Sequence, residues 1–352
     1  MAYTNIDDPS AYFQTALYTG SNNQSITNDG NSDLQPDFVW IKRRSDADHH
    51  SLTNSSLGVN KQLLSSSSNG EQSRTDQIQS FNTDGFTLGT DGAGYTNVPG
   101  NTYVAWQWKA NGGTTSSNTD GSINTTVQSN STAGFNIITY TGTGGSETLG
   151  HNLGVAPDMW IIKRRSGTGS WAVGFNDSSI LGGTSNYLIL QSTGATSTYN
   201  NFWGSSPANS NVMRIAGDST IGGSGSTYVA YAFAEKQGYS KFGKYVGNSN
   251  DNGTFVYLGF KPRWLMIKST QAGMSWDIID TARSTSNVMD DYLTANTTDP
   301  EGTSSTKNID FLSNGFKCRD DNNINFSDHT YIYMAFAENP FTTSTGIPTT
   351  AR

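Results

Sequence analysis

The chain predicts an all-β protein of three tandem β-sandwich domains, jelly-roll or lectin-like, of about 100 residues each. Two recurring phrases and the composition carry this expectation. One phrase is a Pro-initiated apolar run, seen as Pro36-Asp37-Phe38-Val39-Trp40-Ile41-Lys42, Pro157-Asp158-Met159-Trp160-Ile161-Ile162-Lys163 and Pro262-Arg263-Trp264-Leu265-Met266-Ile267-Lys268. The other follows at nearly constant distance: Tyr103, Tyr228 and Tyr331, in Thr102-Tyr103-Val104, Thr227-Tyr228-Val229 and Thr330-Tyr331-Ile332, lie 67, 71 and 69 positions after those Pro residues. Only 14% of the 352 residues are charged, while 38 are Gly and 11% aromatic, a mix that suits short strands and many turns.

Each Pro run reads as a strand buried on both faces, because four large apolar residues follow in sequence with no polar alternation. Pro is placed where a strand begins without forfeiting a ladder hydrogen bond. A repeat period of about 105 to 120 residues is too long for a solenoid unit and fits a small domain.

In chain order, residues 1–11 are polar and acidic and read as a docking arm. Residues 12–109 form the first repeat, with an opening strand near Phe13 to Tyr18 and a late one at Gly85-Phe86-Thr87-Leu88. Residues 110–133 are almost wholly Asn, Gly, Thr and Ser, too poor in apolar area to offset ordering entropy, and read as a linker. Residues 134–237 and 238–341 are the second and third repeats. They match closely: Trp171 and Trp276 lie 8 positions after the motif Lys, and Tyr187 and Tyr292 lie 24 after it. The first repeat has drifted, with His50 in the Trp position. Residues 342–352 read as an extended polar tail.

A net charge of −8 leaves no basic footprint for nucleic acid. No apolar stretch approaches the roughly 20 residues of a membrane helix, and the acidic start lacks a signal-peptide core, so synthesis in a cytoplasm is expected. The single Cys318 excludes an intrachain disulfide framework and most Cys-based metal sites. Neither a cofactor nor a metal is expected.

Several phrases, in order, give the chain a resemblance. Tyr140-Thr141-Gly142 with His151-Asn152-Leu153-Gly154, Gly85-Phe86-Thr87-Leu88-Gly89, and Tyr331 to Glu338 resemble the tandem-repeat β-domain tail-fibre and appendage proteins of tailed bacteriophages of marine bacteria. The likeness spans about residues 12 to 341; it departs at His50 and at Lys268-Ser269, where the other copies read Lys-Arg-Arg. The resemblance implies a virion structural protein, a tail fibre or spike that presents β-sandwich domains to host-surface glycan. Homotrimeric assembly with other tail or capsid proteins follows by the same analogy. A capsid decoration or head-fibre protein is the alternative, and a surface-glycan depolymerase the second alternative.

The candidate glycan site is the aromatic and amide cluster Tyr199, Asn201, Phe202 and Trp203, since loop rings beside amides suit sugars, against the plainer reading of rings packed under a long loop. Trp40, Trp160 and Trp264 offer rings too, but continuous apolar runs favour a core role. Arg43, Arg44, Arg164 and Arg165 are candidates for contact with a charged partner, against a solvated strand exit. Asp320-Asp321-Asn322-Asn323 has the oxygen-rich look of a Ca²⁺ loop without complete ligand spacing, and turn chemistry explains it more simply. No nucleophile elbow, zinc-type His spacing or phosphate loop is present, and Asp277, Asp280 and Glu301 have nothing to single them out as an acid pair. A non-enzyme is expected.

Overall fold

A computed structural model of the protein describes residues 3–349. It is almost wholly antiparallel β, with one short α-helix, Ser178–Leu181, and one 3-10 turn, Pro9–Ala11. Three large sheets of six, eight and six strands each pair with a small sheet of two or three.

The two recurring phrases are neighbours in every large sheet. The motif strands Phe38–Arg43, Met159–Arg164 and Phe260–Ser269 pair with the closing strands Thr102–Trp108, Thr227–Phe233 and Thr330–Pro340. On its other side each closing strand takes an opening strand: Phe13–Thr19, Phe135–Thr141 or Ser240–Val246. The recurrent Tyr residues fasten this centre to the loops. Tyr103, Tyr228 and Tyr331 each donate to a carbonyl of the loop before their strand (Gly94, Ser219 and Asn323) and accept a backbone N–H from it. Tyr18, Tyr140 and Tyr245 stack on them at 5.2, 5.1 and 5.0 Å. Each hydroxyl donates to the same loop, at Thr96, Ile221 and Ile324.

Both faces of the motif strands are buried, as the unbroken apolar runs predict. Alternation divides their side chains between two kinds of core. Val39 and Ile41, Trp160 and Ile162, and Leu265 and Ile267 face the small sheet of their own repeat. Phe38 and Trp40, Met159 and Ile161, and Trp264 and Met266 meet in one central cluster built from all three repeats. Counted back from the motif Lys, the three Trp residues stand at different positions. Trp160 is therefore one residue out of phase with Trp40 and Trp264 and lies on the opposite face.

Contacts between repeats close into a cycle. His50 hydrogen-bonds through Nε2 to the Thr294 carbonyl of the third repeat at 3.0 Å. Trp276 donates from Nε1 to the Ile189 carbonyl of the second at 3.0 Å, and Trp171 donates to the Leu64 carbonyl of the first at 2.8 Å. Backbone bonds follow the same rotation: Asp48 N to Thr298 O, Gly273 N to Thr193 O and Gly169 N to Ser68 O. The repeats are thus arranged three-fold about one shared core rather than as separate beads.

Four expectations change. The stretch 110–133 is no free linker: Thr125–Asn130 pairs with Phe135–Thr141 and Ser116–Asn118 pairs with Thr125–Asn130 as the edge of the eight-stranded sheet. Backbone ladders and side-chain amides order it where apolar area is scarce, with Gln128 Oε1 accepting from Gly113 N and the Asp37 carboxylate from Ala110, Gly112 and Gly113. Pro262 does not open its strand; the strand starts at Phe260 and shifts register around Pro262, where a bulge tolerates the missing donor. The arm folds back on its own chain, with Ile6 in the central core and the Tyr3 hydroxyl donating to Gly259 O. The tail turns instead of extending, Thr343 and Ile347 bonding across Gly346, and Asp7 holds Ser344. Residues 350–352 of the expected tail and residues 1–2 of the arm lie outside the described residues.

Candidate functional site

The Lys-Arg-Arg phrases work between repeats. Arg44 makes a two-pronged bond to Glu301 (2.9 and 2.7 Å), and Arg165 bonds Glu71 at 2.6 Å. Backbone bonds place Glu301, Glu71 and Thr196 in equivalent positions, opposite Arg44, Arg165 and Thr270. Where the third repeat replaces Arg with Thr, its partner position has lost Glu as well. Arg43 pairs with Asp46 and Asp48 of its own loop at 3.0 and 3.6 Å. Arg164 alone of the four makes no ion pair among the described residues. The charged-partner candidates are therefore mostly engaged within the chain.

The motif Lys residues are buried, each Nζ held by carbonyls: Lys42 by Arg43 and Thr298, Lys163 by Ser68 and Gly169, Lys268 by Ser269 and Gln271. Loss of hydration brings their pKa values down to about 8, about 7 and about 8, with Arg164 adding to the effect at Lys163.

The aromatic cluster of the second repeat is divided by burial. Phe202 and Trp203 are core residues, Trp203 donating from Nε1 to the Asn186 carbonyl at 2.8 Å and meeting Trp160 at 5.4 Å. Their ring faces are covered, so they offer no platform; the cluster packs under its own loop. Tyr199 and Asn201 do reach solvent.

The acidic residues are engaged too. Asp280 receives Arg283 Nε at 2.6 Å and Trp106 Nε1 at 3.0 Å, Glu301 binds Arg44 and Arg283, and Asp277 binds Lys307 at 2.7 Å. Asp320 accepts the backbone N–H of Asn322 in a turn, and no metal-holding cluster of His, Cys, Asp and Glu occurs among the described residues. His151 is buried and ties its turn to the Asn209 carbonyl at 3.0 Å.

A pair of exposed rings on a single strand lies on the third repeat. Phe255 and Tyr257 stand 45% and 50% exposed on one face of the edge strand Phe255–Tyr257. Across the small sheet, Phe255 pairs with Lys317 and Tyr257 with Gly315, which in turn pairs with Leu312. Leu312 also lines a groove of about 960 Å³ that contains Asn287, Asn314 and Asn339. Periodicity could have found this pair, since Phe255-Val256-Tyr257 alternates outward-inward-outward. The distinguishing signal is a comparison between copies, where Ser25 faces Thr87, and Thr148 faces Arg214, in the place of Phe255 facing Lys317.

A family described as Domain of unknown function (DUF7483) matches residues 8–340. The chain belongs to this family. The match runs through all three repeats as one unit, in keeping with their shared core. No curated protein and no solved structure matches the chain.

Proposed function

We propose that the protein is a structural component of a bacteriophage particle, a tail-fibre or spike-type appendage whose β-sandwiches present their outer faces to host-surface glycan. The observation that carries this reading is the cyclic lock of His50, Trp171 and Trp276. It commits the recurrent motif residues to holding three sheets rigidly together and leaves the outer faces as the variable part. Rigid display lowers the entropic cost of each surface contact, and several weak contacts then gain by avidity. In this proposal one chain supplies the three-fold arrangement expected of a homotrimer, and its partners are other virion proteins and the host surface.

The same cyclic symmetry favours one alternative, a decoration protein seated on three-fold positions of a capsid shell. Immunogold labelling of intact particles separates the two. Label on the tail supports the appendage; label on the head alone selects the decoration protein. Release of reducing sugar from host polysaccharide would instead favour a depolymerase.

A further inference from the structure

We propose that the outer face of the third repeat is a glycan-binding site, with Phe255 and Tyr257 as stacking rings and the adjoining groove as the polar subsite. The proposal rests on the adhesion reading and gives it a location and a ligand class.

The first argument comes from the internal repeats. The scaffold is written three times, so a residue that the fold needs at a given place should be matched in the other copies. Gly85-Phe86-Thr87 and Gly315-Phe316-Lys317 align the small sheets, and the pairs Ile26–Phe86 and Val256–Phe316 point inward in both. On the outward side the first repeat has Ser25 and Thr27, both exposed, where the third has Phe255 and Tyr257. Two large aromatic rings in water are therefore no requirement of the sandwich. They are an addition confined to one copy, and burying them on a partner is favourable.

The second argument is the chemistry beside the rings. Tyr257 is fixed: its hydroxyl lies 3.3 Å from that of Tyr3, and Lys241 Nζ sits 5.7 Å from its ring centroid. A ring already held loses little entropy when it binds. Asn314 accepts the backbone N–H groups of Leu258 and Gly259, which brings the groove up against Tyr257. The side-chain amides of Asn314 and Asn339 make no hydrogen bond within the described residues, and Thr285 and Ser286 are exposed beside them. Lys261 pairs with Glu338 at 3.2 Å and Arg319 with Asp310 at 3.2 Å, while Lys317 bonds the neutral amide of Asn252. A surface of exposed rings, free amides and hydroxyls, with Glu338 and Asp310 already engaged and Lys317 left as a further donor, suits a polyhydroxylated ligand whose C–H faces lie on the rings and whose hydroxyls reach the amides. A neutral oligosaccharide has that chemistry.

The test uses the full chain and surface polysaccharide extracted from the host bacterium, split by anion exchange into neutral and acidic fractions and immobilised on a sensor. The variants are Phe255→Ser with Tyr257→Thr, which installs the residues of the first repeat, and separately Asn339→Ala. Binding of the wild type to the neutral fraction, reduced at least about tenfold in both variants at unchanged melting temperature, supports the site. Binding that survives both variants but is lost on Tyr199→Ala overturns the site and leaves adhesion standing. Binding to the acidic fraction alone overturns the ligand class. No binding to either fraction overturns adhesion and the site together. A wild-type oligomer dissolved by the double variant in light scattering would reassign the face to self-association.

Discussion

His50 looks like decay of the repeat when read beside Trp171 and Trp276, yet its environment explains it. Trp40 Nε1 donates to His50 Nδ1 at 2.9 Å, so Nε2 carries the proton and donates to the Thr294 carbonyl. Repeats 2 and 3 have Ile161 and Met266 where the first has Trp40, and they leave room for a larger indole ten positions on, at Trp171 and Trp276. His50→Phe should therefore cost about 1–3 kcal/mol by stranding a buried indole N–H and a carbonyl. Trp40→Ile combined with His50→Trp, which copies the second repeat, should recover much of that loss, as read by denaturant midpoints. Burial, with Lys42 nearby, holds the His50 pKa well below its ordinary value, and burial lowers His151 as well. The unfolded chain then binds protons that the folded chain refuses, so stability should fall as pH drops below about 6.5. His50→Phe should shallow that dependence. The motif Lys residues share the sign in another window: folded values of about 7 to 8 lie under the unfolded 10.5, so their contribution should grow as pH rises from about 7 towards 10.5. A denaturant midpoint that declined between pH 7 and 9.5 would contradict this.

Among the elements, the motif and closing strands were legible because a strand buried on both faces leaves an unbroken apolar signature. The Trp registers were less so: a shift of one residue moves a ring between cores, and the shared Trp obscured it. The edge strands of 110–133 were invisible to composition, since their order comes from backbone ladders, Asp37 and Gln128. Val127 was their one firm clue, buried in the second repeat's own core. Val127→Asp should destabilise the chain by several kcal/mol, the cost of an unpaired charge placed there. At the junctions, Glu71→Thr alone should cost about 1–3 kcal/mol by leaving the partly buried Arg165 charge unpaired, and Arg165→Thr alone should cost less, since Lys61 still pairs with Glu71 at 3.5 Å. The two together should be close to neutral, because Thr270 and Thr196 already form a working junction in the third repeat. A double-mutant cycle measures the difference. The candidate site was the least legible part. Rings at Phe202 and Trp203 attract attention through density of aromatics, whereas Phe255 and Tyr257 stand out only once the outward face of each copy is compared.

For the molecule as a whole, the repeats told of an all-β chain with recurring strands but not of the common core, because spacing along a chain carries no information on how copies meet. That core includes Phe38, Trp108, Phe233, Trp264 and Phe336, drawn from every repeat, with Phe38 and Tyr231 stacked at 4.2 Å across one junction. Unfolding should accordingly be a single cooperative transition in calorimetry; three resolved transitions would contradict it. A chain ended at residue 237 should fail to fold, since it bares the central face of two sheets. The contact of Asp7 with Ser344, beside the buried Ile6, brings the first and last described segments together at one junction of the cycle. Circular permutation should therefore be tolerated. A chain re-opened at Gly238, with residues 3 and 349 joined by a short flexible linker, should keep the same melting behaviour, because the seam between first and last repeat can lie at either place.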